Sequence, residues 1–154
     1  GKTVVSTAGT TNIKQITALN AERNLGINIV SANGHSEAFQ MVESGRAAAF
    51  VMDDILLFGL VANSKNPKQF AISQEALSIE PYGIMLRKDD VAFKKVVDAA
   101  MSKLYTSGEA AKIYTKWFQR PIPPRKINLN VAMSAQLKKA WANPTSSGDP
   151  NDYK

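Results

Sequence analysis

The chain has 154 residues, 44% hydrophobic and 21% charged, a composition typical of globular domains. Its apolar runs are far shorter than the ~20 residues that a membrane-spanning helix needs, and the absence of cysteine excludes disulfides, thiolate metal sites and cysteine nucleophiles within this chain. Residues 1–83 carry six Lys and Arg against seven Asp and Glu, so the net charge of +6 comes from the remainder. Its lysines lie between core-type residues on predicted helices, which favours solvated helix faces and no nucleic-acid partner.

The chain begins with a predicted strand, a tight turn and a helix. Val4 and Val5 suit a buried strand, Gly9 allows a backbone shape that a side chain would resist, and apolar residues then recur at helical spacing. A helix N-terminus presents backbone N–H groups and the positive end of its dipole. The turn at Gly9, Thr10 and Thr11 is therefore predicted to bind a carboxylate or a phosphate. The alternative is that both threonines only cap the helix.

Two more strand and helix pairs follow. Residues 27–30 form a predicted second strand, and Ser36 is the predicted cap of a helix that stops at Gly45. The apolar run at residues 47–52 is typical of a strand buried on both faces, and an apolar helix comes after it. The fold class is therefore predicted to be α/β, with a parallel βαβαβ core.

Ligands of parallel α/β sheets bind at the carboxyl ends of the strands. Three segments are predicted to meet there: residues 6–11, residues 31–35, and the pair Asp53 and Asp54. An anion-binding turn beside a carboxylate suits a zwitterionic amino acid. Asp53 is predicted to face the cleft, and Asp54 to cap the next helix. Capping alone is the alternative for both. His35, the only histidine, is a candidate donor to an anionic group, although a lone histidine is more often structural.

The pattern weakens beyond residue 63, where residues 70–72 and 76–79 could form short strands and residues 84–86 are predicted to be extended. Three helices then follow. Their predicted boundaries are Asp89 or Asp90 to Gly108, residues 109–118, and a last helix capped by Ser134. Ile113 and Trp117 are the predicted core residues of the middle helix.

Five segments carry a resemblance to a known family. They are GKTVVSTAGTT, ESGRAAAFVMDD, PYGIMLRKDD, SGEAAKIYTKWF and RPIPP, in this order. The chain resembles, from residue 1 to about residue 141, the later half of bacterial solute-binding proteins of the polar amino acid type. The resemblance is strongest to the periplasmic glutamate/aspartate-binding proteins of ABC transporters.

The resemblance implies a type II periplasmic-binding-protein-like fold, in which two lobes close around the ligand. It assigns residues 1–79 to the second, ligand-binding lobe and residues 80–83 to the returning hinge strand. Residues 84–142 would be the C-terminal part of the first lobe, and residues 143–154 are expected to form a flexible tail.

The same resemblance implies roles for single residues. Thr10 and Thr11, in the turn that Gly9 permits, would hold the α-carboxylate of the ligand. Asp53 would hold its α-ammonium group, and Thr7 would lie near its side chain. His35 matches a histidine of the glutamate/aspartate-binding members and would address an acidic side chain, which favours L-glutamate or L-aspartate over glutamine.

The implied function is capture of the amino acid in the periplasm for the membrane permease subunits of an ABC importer, with no catalytic residue, cofactor or metal. For an exported protein, the signal peptide is expected to have been removed before Gly1. Two alternatives stay open. One is a cyclohexadienyl-dehydratase-like enzyme on the same fold, for which His35 and Asp53 would be the candidate acids. The other is a ligand-sensing domain of a receptor or regulator.

The first-lobe segment expected before Gly1, with the arginine that usually clamps the α-carboxylate, is missing. The chain alone is therefore expected to bind its ligand weakly. Its first-lobe helices are expected to leave apolar side chains exposed, or to cover them with another copy or with the missing N-terminal first-lobe segment. The side chains concerned are Phe93, Val97, Met101, Leu104 and Trp117.

Overall fold

The computed structural model describes residues 1–153. It divides into two compact units, the first being Gly1–Ile72 and the second running from Ser73 onward. No helix in the described region combines the length and apolar character that crossing a membrane requires.

The first unit alternates strands and helices, which confirms the predicted α/β class. Its elements are β1 (Thr3–Thr7), α1 (Thr11–Glu22), β2 (Asn28–Ala32), α2 (His35–Glu43), β3 (Ala49–Val51) and α3 (Asp54–Asn63), followed by a 3-10 turn at Pro67–Gln69. The three strands form one parallel sheet in the order β2-β1-β3, as the βαβαβ pattern predicts. The strand that begins the chain is therefore the central one.

The core of the first unit lies around β1. Val5 and Ser6 are completely buried because both neighbours of β1 and the packed helices cover them. Small residues fill the space beneath α2, and Phe39 of that helix packs against Phe70 with ring centroids 5.0 Å apart. The buried apolar cluster is Val5, Ala32, Ala38 and Ala47, with Val30, Met41, Val42 and Phe50 against it.

The start of α2 differs from the prediction. Ser36 does not cap the helix: Gly34 occupies the cap position, and Ser36 is the second helical residue. Glycine is itself a favoured cap residue. Glu37, the third helical residue, reaches back over this start, and its Oε2 accepts the N–H of Asn33 at 2.9 Å.

The prediction of two short strands after residue 63 is also wrong. Residues 70–72 form no strand, because Phe70 closes the 3-10 turn by donating its N–H to the carbonyl of Pro67 at 3.2 Å. Residues 76–79 form none either, and the backbone bends just before them, where the Ser73 hydroxyl binds Glu75. Residues 84–86 lie outside any helix or strand, which is compatible with the extended segment predicted there.

The second unit contains the three predicted helices. They are α4 (Val91–Thr106), α5 (Glu109–Phe118) and α6 (Ala135–Ala142), with a 3-10 turn at Pro150–Tyr153 in the stretch expected to be a tail. The caps are confirmed, because Asp90 accepts the N–H of Phe93 at 3.0 Å and Ser134 accepts that of Leu137 at 3.1 Å.

The core of the second unit is an aromatic cluster, which corrects the predicted core of α5. Tyr114 is buried, with its ring 4.5 Å from that of Phe118 and 6.1 Å from that of Trp141. Ile113 and Trp117 are instead 49% and 44% exposed. The face of α5 that includes Tyr114 and Phe118, four residues apart, is the one that meets its neighbours.

The expectation of exposed apolar side chains holds in part. Phe93 is 51% exposed and Trp117 is 44% exposed. Val97, Met101 and Leu104 are partly buried, because α4 packs against both α5 and α6.

Candidate functional site

The carboxyl ends of all three strands meet at one edge of the first unit. Thr7 of β1 lies beside Ala32 of β2, and Ser6 lies beside Val51 of β3. Two hydrogen bonds close this edge: the N–H of Ala8 donates to the carbonyl of Ala32 at 2.8 Å, and the Ser6 hydroxyl donates to the carbonyl of Val51 at 2.7 Å. The loops that carry the predicted site residues therefore start from adjacent points.

The turn between β1 and α1 has the backbone shape that the sequence predicts. Gly9 has φ +76°, in the left-handed region that favours glycine. Thr10 occupies the cap position of α1; its Oγ1 accepts the N–H of Ile13 at 3.4 Å and donates to the carbonyl of Thr7 at 2.7 Å. Thr11, the first helical residue, is exposed at the positive end of the helix dipole. The capping interpretation is thus correct for Thr10, and the turn still faces the common edge.

Thr7 and His35 are in contact. Oγ1 of Thr7 lies 2.8 Å from Nδ1 of His35, the first residue of α2, and 3.9 Å from the sulfur of Met52. If the hydroxyl donates to Nδ1, the imidazole carries its proton on Nε2; if Nδ1 donates, the hydroxyl proton can point to Met52. Thr7 is 6% exposed and His35 is partly buried, so strand β1 fixes the Nδ1 side of the imidazole.

Asp53 is held by a residue of α1. Nδ2 of Asn12 donates to Oδ1 of Asp53 at 2.9 Å, and Asn12 is itself 9% exposed. Asp53 occupies the cap position of α3, yet its side chain makes no capping hydrogen bond, and its carbonyl accepts the N–H of Leu57 at 3.1 Å. Its carboxylate is therefore turned toward the start of α1 rather than toward its own helix.

The position of Asp54 in α3 differs from the predicted cap position. It is exposed and is the first residue of α3, so the cap position belongs to Asp53. Oδ1 of Asp54 nevertheless accepts a helix N–H, that of Ile55 at 2.6 Å. One carboxylate thus lies at the strand edge and the other on the helix backbone, but the assignment of Asp54 to the cap position is wrong.

Among residues 1–153, no group of three or more His, Asp or Glu side chains could hold a metal ion. Chemically, the edge combines a helix N-terminus and an imidazole, which suit anions, with a carboxylate, which suits a cation. A ligand that carries both signs of charge fits this combination.

No family model matches the chain. An L-glutamate/L-aspartate-binding protein of Pseudomonas aeruginosa is 54% identical over 145 residues, which are 94% of this chain and 48% of that protein. A glutamate/aspartate import solute-binding protein of Escherichia coli is 45% identical over 143 residues, 93% of this chain and 47% of that protein. Over nearly its whole length, the chain is therefore similar to proteins named as glutamate/aspartate-binding. It spans about half the length of the relatives it matches.

A more distant solute-binding protein has a different ligand in its name. An ABC transporter glutamine-binding protein of Bacillus subtilis is 27% identical over 119 residues, 77% of this chain and 41% of that protein. Identity is therefore higher with the relatives named for acidic amino acids than with this one.

The structure brings the predicted site residues of this chain to one edge: Thr7, Gly9, Thr10, Thr11, His35 and Asp53. Asn12 is the residue that the sequence analysis missed. It lies four residues before Ile16 and so on the same buried face of α1. A polar residue on a predicted apolar face needs a buried partner, and this was the signal that could have found it.

Proposed function

We propose that this chain is the ligand-binding part of an extracytoplasmic solute-binding protein that captures L-glutamate or L-aspartate for an ABC amino-acid importer. One observation carries the proposal. A chain 54% identical to a protein named for these two ligands places a helix N-terminus, His35 and Asp53 at one sheet edge. These groups match an acidic amino acid, which has two carboxylates and one ammonium group.

In the proposed complex, the turn at Gly9, Thr10 and Thr11 binds the α-carboxylate. The dipole of α1 and the threonine hydroxyls favour an anion there. Asp53 binds the α-ammonium group by a charge-assisted hydrogen bond. The hydrogen bond from Asn12 to Asp53 joins the start of α1 to the Asp53 carboxylate. The proposed sites for the α-carboxylate and the α-ammonium group of the ligand are therefore adjacent.

The side-chain carboxylate of the ligand is assigned to His35, with Thr7 beside it. An imidazole donates a hydrogen bond to an anion, and the contact with Thr7 holds the ring at the edge. A neutral amide such as glutamine can accept the same hydrogen bond but brings no charge, so the site should prefer the acidic ligands.

The proposal extends to the architecture. Residues 1–79 are assigned to the second lobe of a type II fold, residues 80–83 to the returning hinge strand and residues 84–142 to the first lobe. Closure of the lobes around the amino acid would present the protein to the permease subunits of the importer in the periplasm. The support is the identity to import solute-binding proteins over nearly the whole chain.

We propose that the chain binds its ligand and does not catalyse a reaction. The relatives are named as binding proteins, and the dehydratase-like and ligand-sensing alternatives have no comparable support. Incubating the chain with arogenate or prephenate checks this directly, since an enzyme would turn over one of them.

The decisive experiment is a titration of the isotopically labelled chain with L-glutamate, L-aspartate and L-glutamine, followed by amide chemical shifts into the tens of millimolar range. The expected result is shifts confined to Thr7–Thr11, His35 and Asp53, larger for the acidic ligands at equal concentration. A well-folded chain whose spectrum does not respond to any of the three would contradict the proposed ligand class.

A further inference from the structure

Asn12 is a buried polar residue that the proposed ligand contacts do not use. It is the second residue of α1, is 9% exposed, and donates from Nδ2 to Oδ1 of Asp53 at 2.9 Å. Asparagine has lower helix propensity than alanine or leucine, and burying its amide is tolerated only when the amide is hydrogen-bonded. The helix itself therefore gives no reason for an asparagine here, whereas the contact with Asp53 does.

The second observation concerns Asp53. An aspartate at a helix cap position normally accepts an N–H from the first turn of its own helix. Asp53 occupies that position on α3 and makes no such bond; its Oδ1 accepts from Asn12 instead, across 41 residues of chain. In this structure the carboxylate is bonded to the start of α1 and not to the backbone of its own helix.

We propose that Asn12 is a positioning residue that holds the Asp53 carboxylate at the strand edge and keeps it from capping α3. The inference rests on the proposed function, in which Asp53 binds the ammonium group of the ligand. The amide of Asn12 is well suited to this task, since it donates a hydrogen bond to the carboxylate but carries no charge that would cancel the attraction for an ammonium ion.

The test compares two ligands that differ in the ammonium group alone. L-glutamate and glutarate, which lacks that group, are titrated into the labelled chain and into the Asn12→Ala variant. The affinity of the variant for L-glutamate should fall roughly fivefold to tenfold, the effect of losing one well-placed polar contact, while its affinity for glutarate changes less than about twofold. Equal losses for both ligands, or no loss for either, would overturn the proposal.

Asn20→Ala is the matched control. Asn20 lies on the same helix and binds both backbone groups of Ile27, at 3.0 and 3.1 Å, without contacting the strand edge. Its removal should lower the unfolding temperature but leave the ratio of glutamate to glutarate affinity unchanged. If Asn12→Ala does not fold, Asn12→Leu fills the same space without a donor and has the same expected result.

A measurement without ligand separates this inference from the proposed function. In the free chain, the side-chain amide protons of Asn12 should exchange with water more slowly than those of exposed Asn24, and the difference should disappear in Asp53→Ala. Exchange of Asn12 as fast as that of Asn24 in the unmodified chain would overturn the positioning contact. A chain that binds neither ligand but shows the slow exchange would instead contradict the proposed function, with the contact itself upheld.

Discussion

The hydroxyl oxygen of Thr7 lies 2.8 Å from Nδ1 of His35, although 28 residues separate the two in the chain. Thr7 ends the central strand and is 6% exposed, whereas His35 begins α2 after the neighbouring strand. The parallel register sets Thr7 beside Ala32, three residues before His35, so the sheet itself brings hydroxyl and imidazole together. The direction of the imidazole is thus determined by the central strand.

Thr7→Val tests the importance of this contact for binding. Valine has the shape of threonine and a high strand propensity, so we expect a stability loss of only about 1 kcal/mol from the missing hydrogen bond. Affinity for L-glutamate should fall roughly threefold to tenfold because His35 loses the partner that orients it. Titration calorimetry or NMR measures the change. Thr17→Val, which removes an exposed hydroxyl bonded to the Ile13 carbonyl, is the control and should leave affinity unchanged.

Asp53→Asn and Asp54→Asn form a matched pair. Both remove one negative charge, but Asp53 lies at the strand edge and Asp54 binds the backbone of α3. We expect Asp53→Asn to weaken L-glutamate binding at least about tenfold, because in the proposed complex the ligand ammonium group loses its charged partner. Asp54→Asn should change affinity less than about twofold. Comparable losses in the two variants would show that overall charge, rather than the position of Asp53, governs binding.

Gly9→Ala should destabilise the first unit. Gly9 has φ +76°, and a side chain in that left-handed region costs about 1–2 kcal/mol even though no atom would clash with the added carbon. Gly59→Ala is the opposite case, since Gly59 lies inside α3 with open space around it, and alanine should stabilise that helix by about 0.5–1 kcal/mol. Denaturant unfolding measures both. A stabilising Gly9→Ala would contradict the turn geometry.

Tyr114→Ala and Trp117→Ala test the corrected core of the second unit. Tyr114 is buried among aromatic rings, so its truncation should cost about 3 kcal/mol or more. Trp117 is 44% exposed and has the Lys116 ammonium group 5.3 Å from its ring centre, so its loss should cost less than about 1.5 kcal/mol. Hydrogen exchange of the α5 amides reports both variants. The reverse order would mean that Trp117 and not Tyr114 belongs to the core.

Features set by neighbours in sequence could be predicted, and those set by distant partners could not. The strands, the bend at Gly9 and the caps Asp90 and Ser134 follow from chemistry within a few residues. The contact of Asn12 with Asp53 joins residues 41 apart. The place of Asn12 on an apolar helix face signals a buried partner, but no local pattern identifies that partner as Asp53.

The two clearest errors have different origins, one local and one in the packing of distant residues. Ser36 is a good local cap, but the helix begins two positions earlier, with Gly34 at the cap position and Glu37 bonded back to Asn33. Ile113 and Trp117 have the right spacing for a core face, but the buried face of α5 is decided by where Trp141 of α6 lies. Hydrophobic spacing predicts that a helix has a buried face and leaves the choice between two apolar faces to the packing partner.

The central place of β1 has a consequence for the order of folding. β1 pairs with β2, 25 residues further on, but its other edge stays open until β3 arrives, 45 residues away, with only three residues to pair. Closing the longer loop costs more chain entropy and gains fewer backbone bonds, so β3 should join last. Asp53 follows β3 directly and reaches Asn12 only when that strand docks. A partly folded chain with β1 and β2 paired would therefore hold His35 against Thr7 already, yet lack the carboxylate, and the proposed site would be complete only with the last strand.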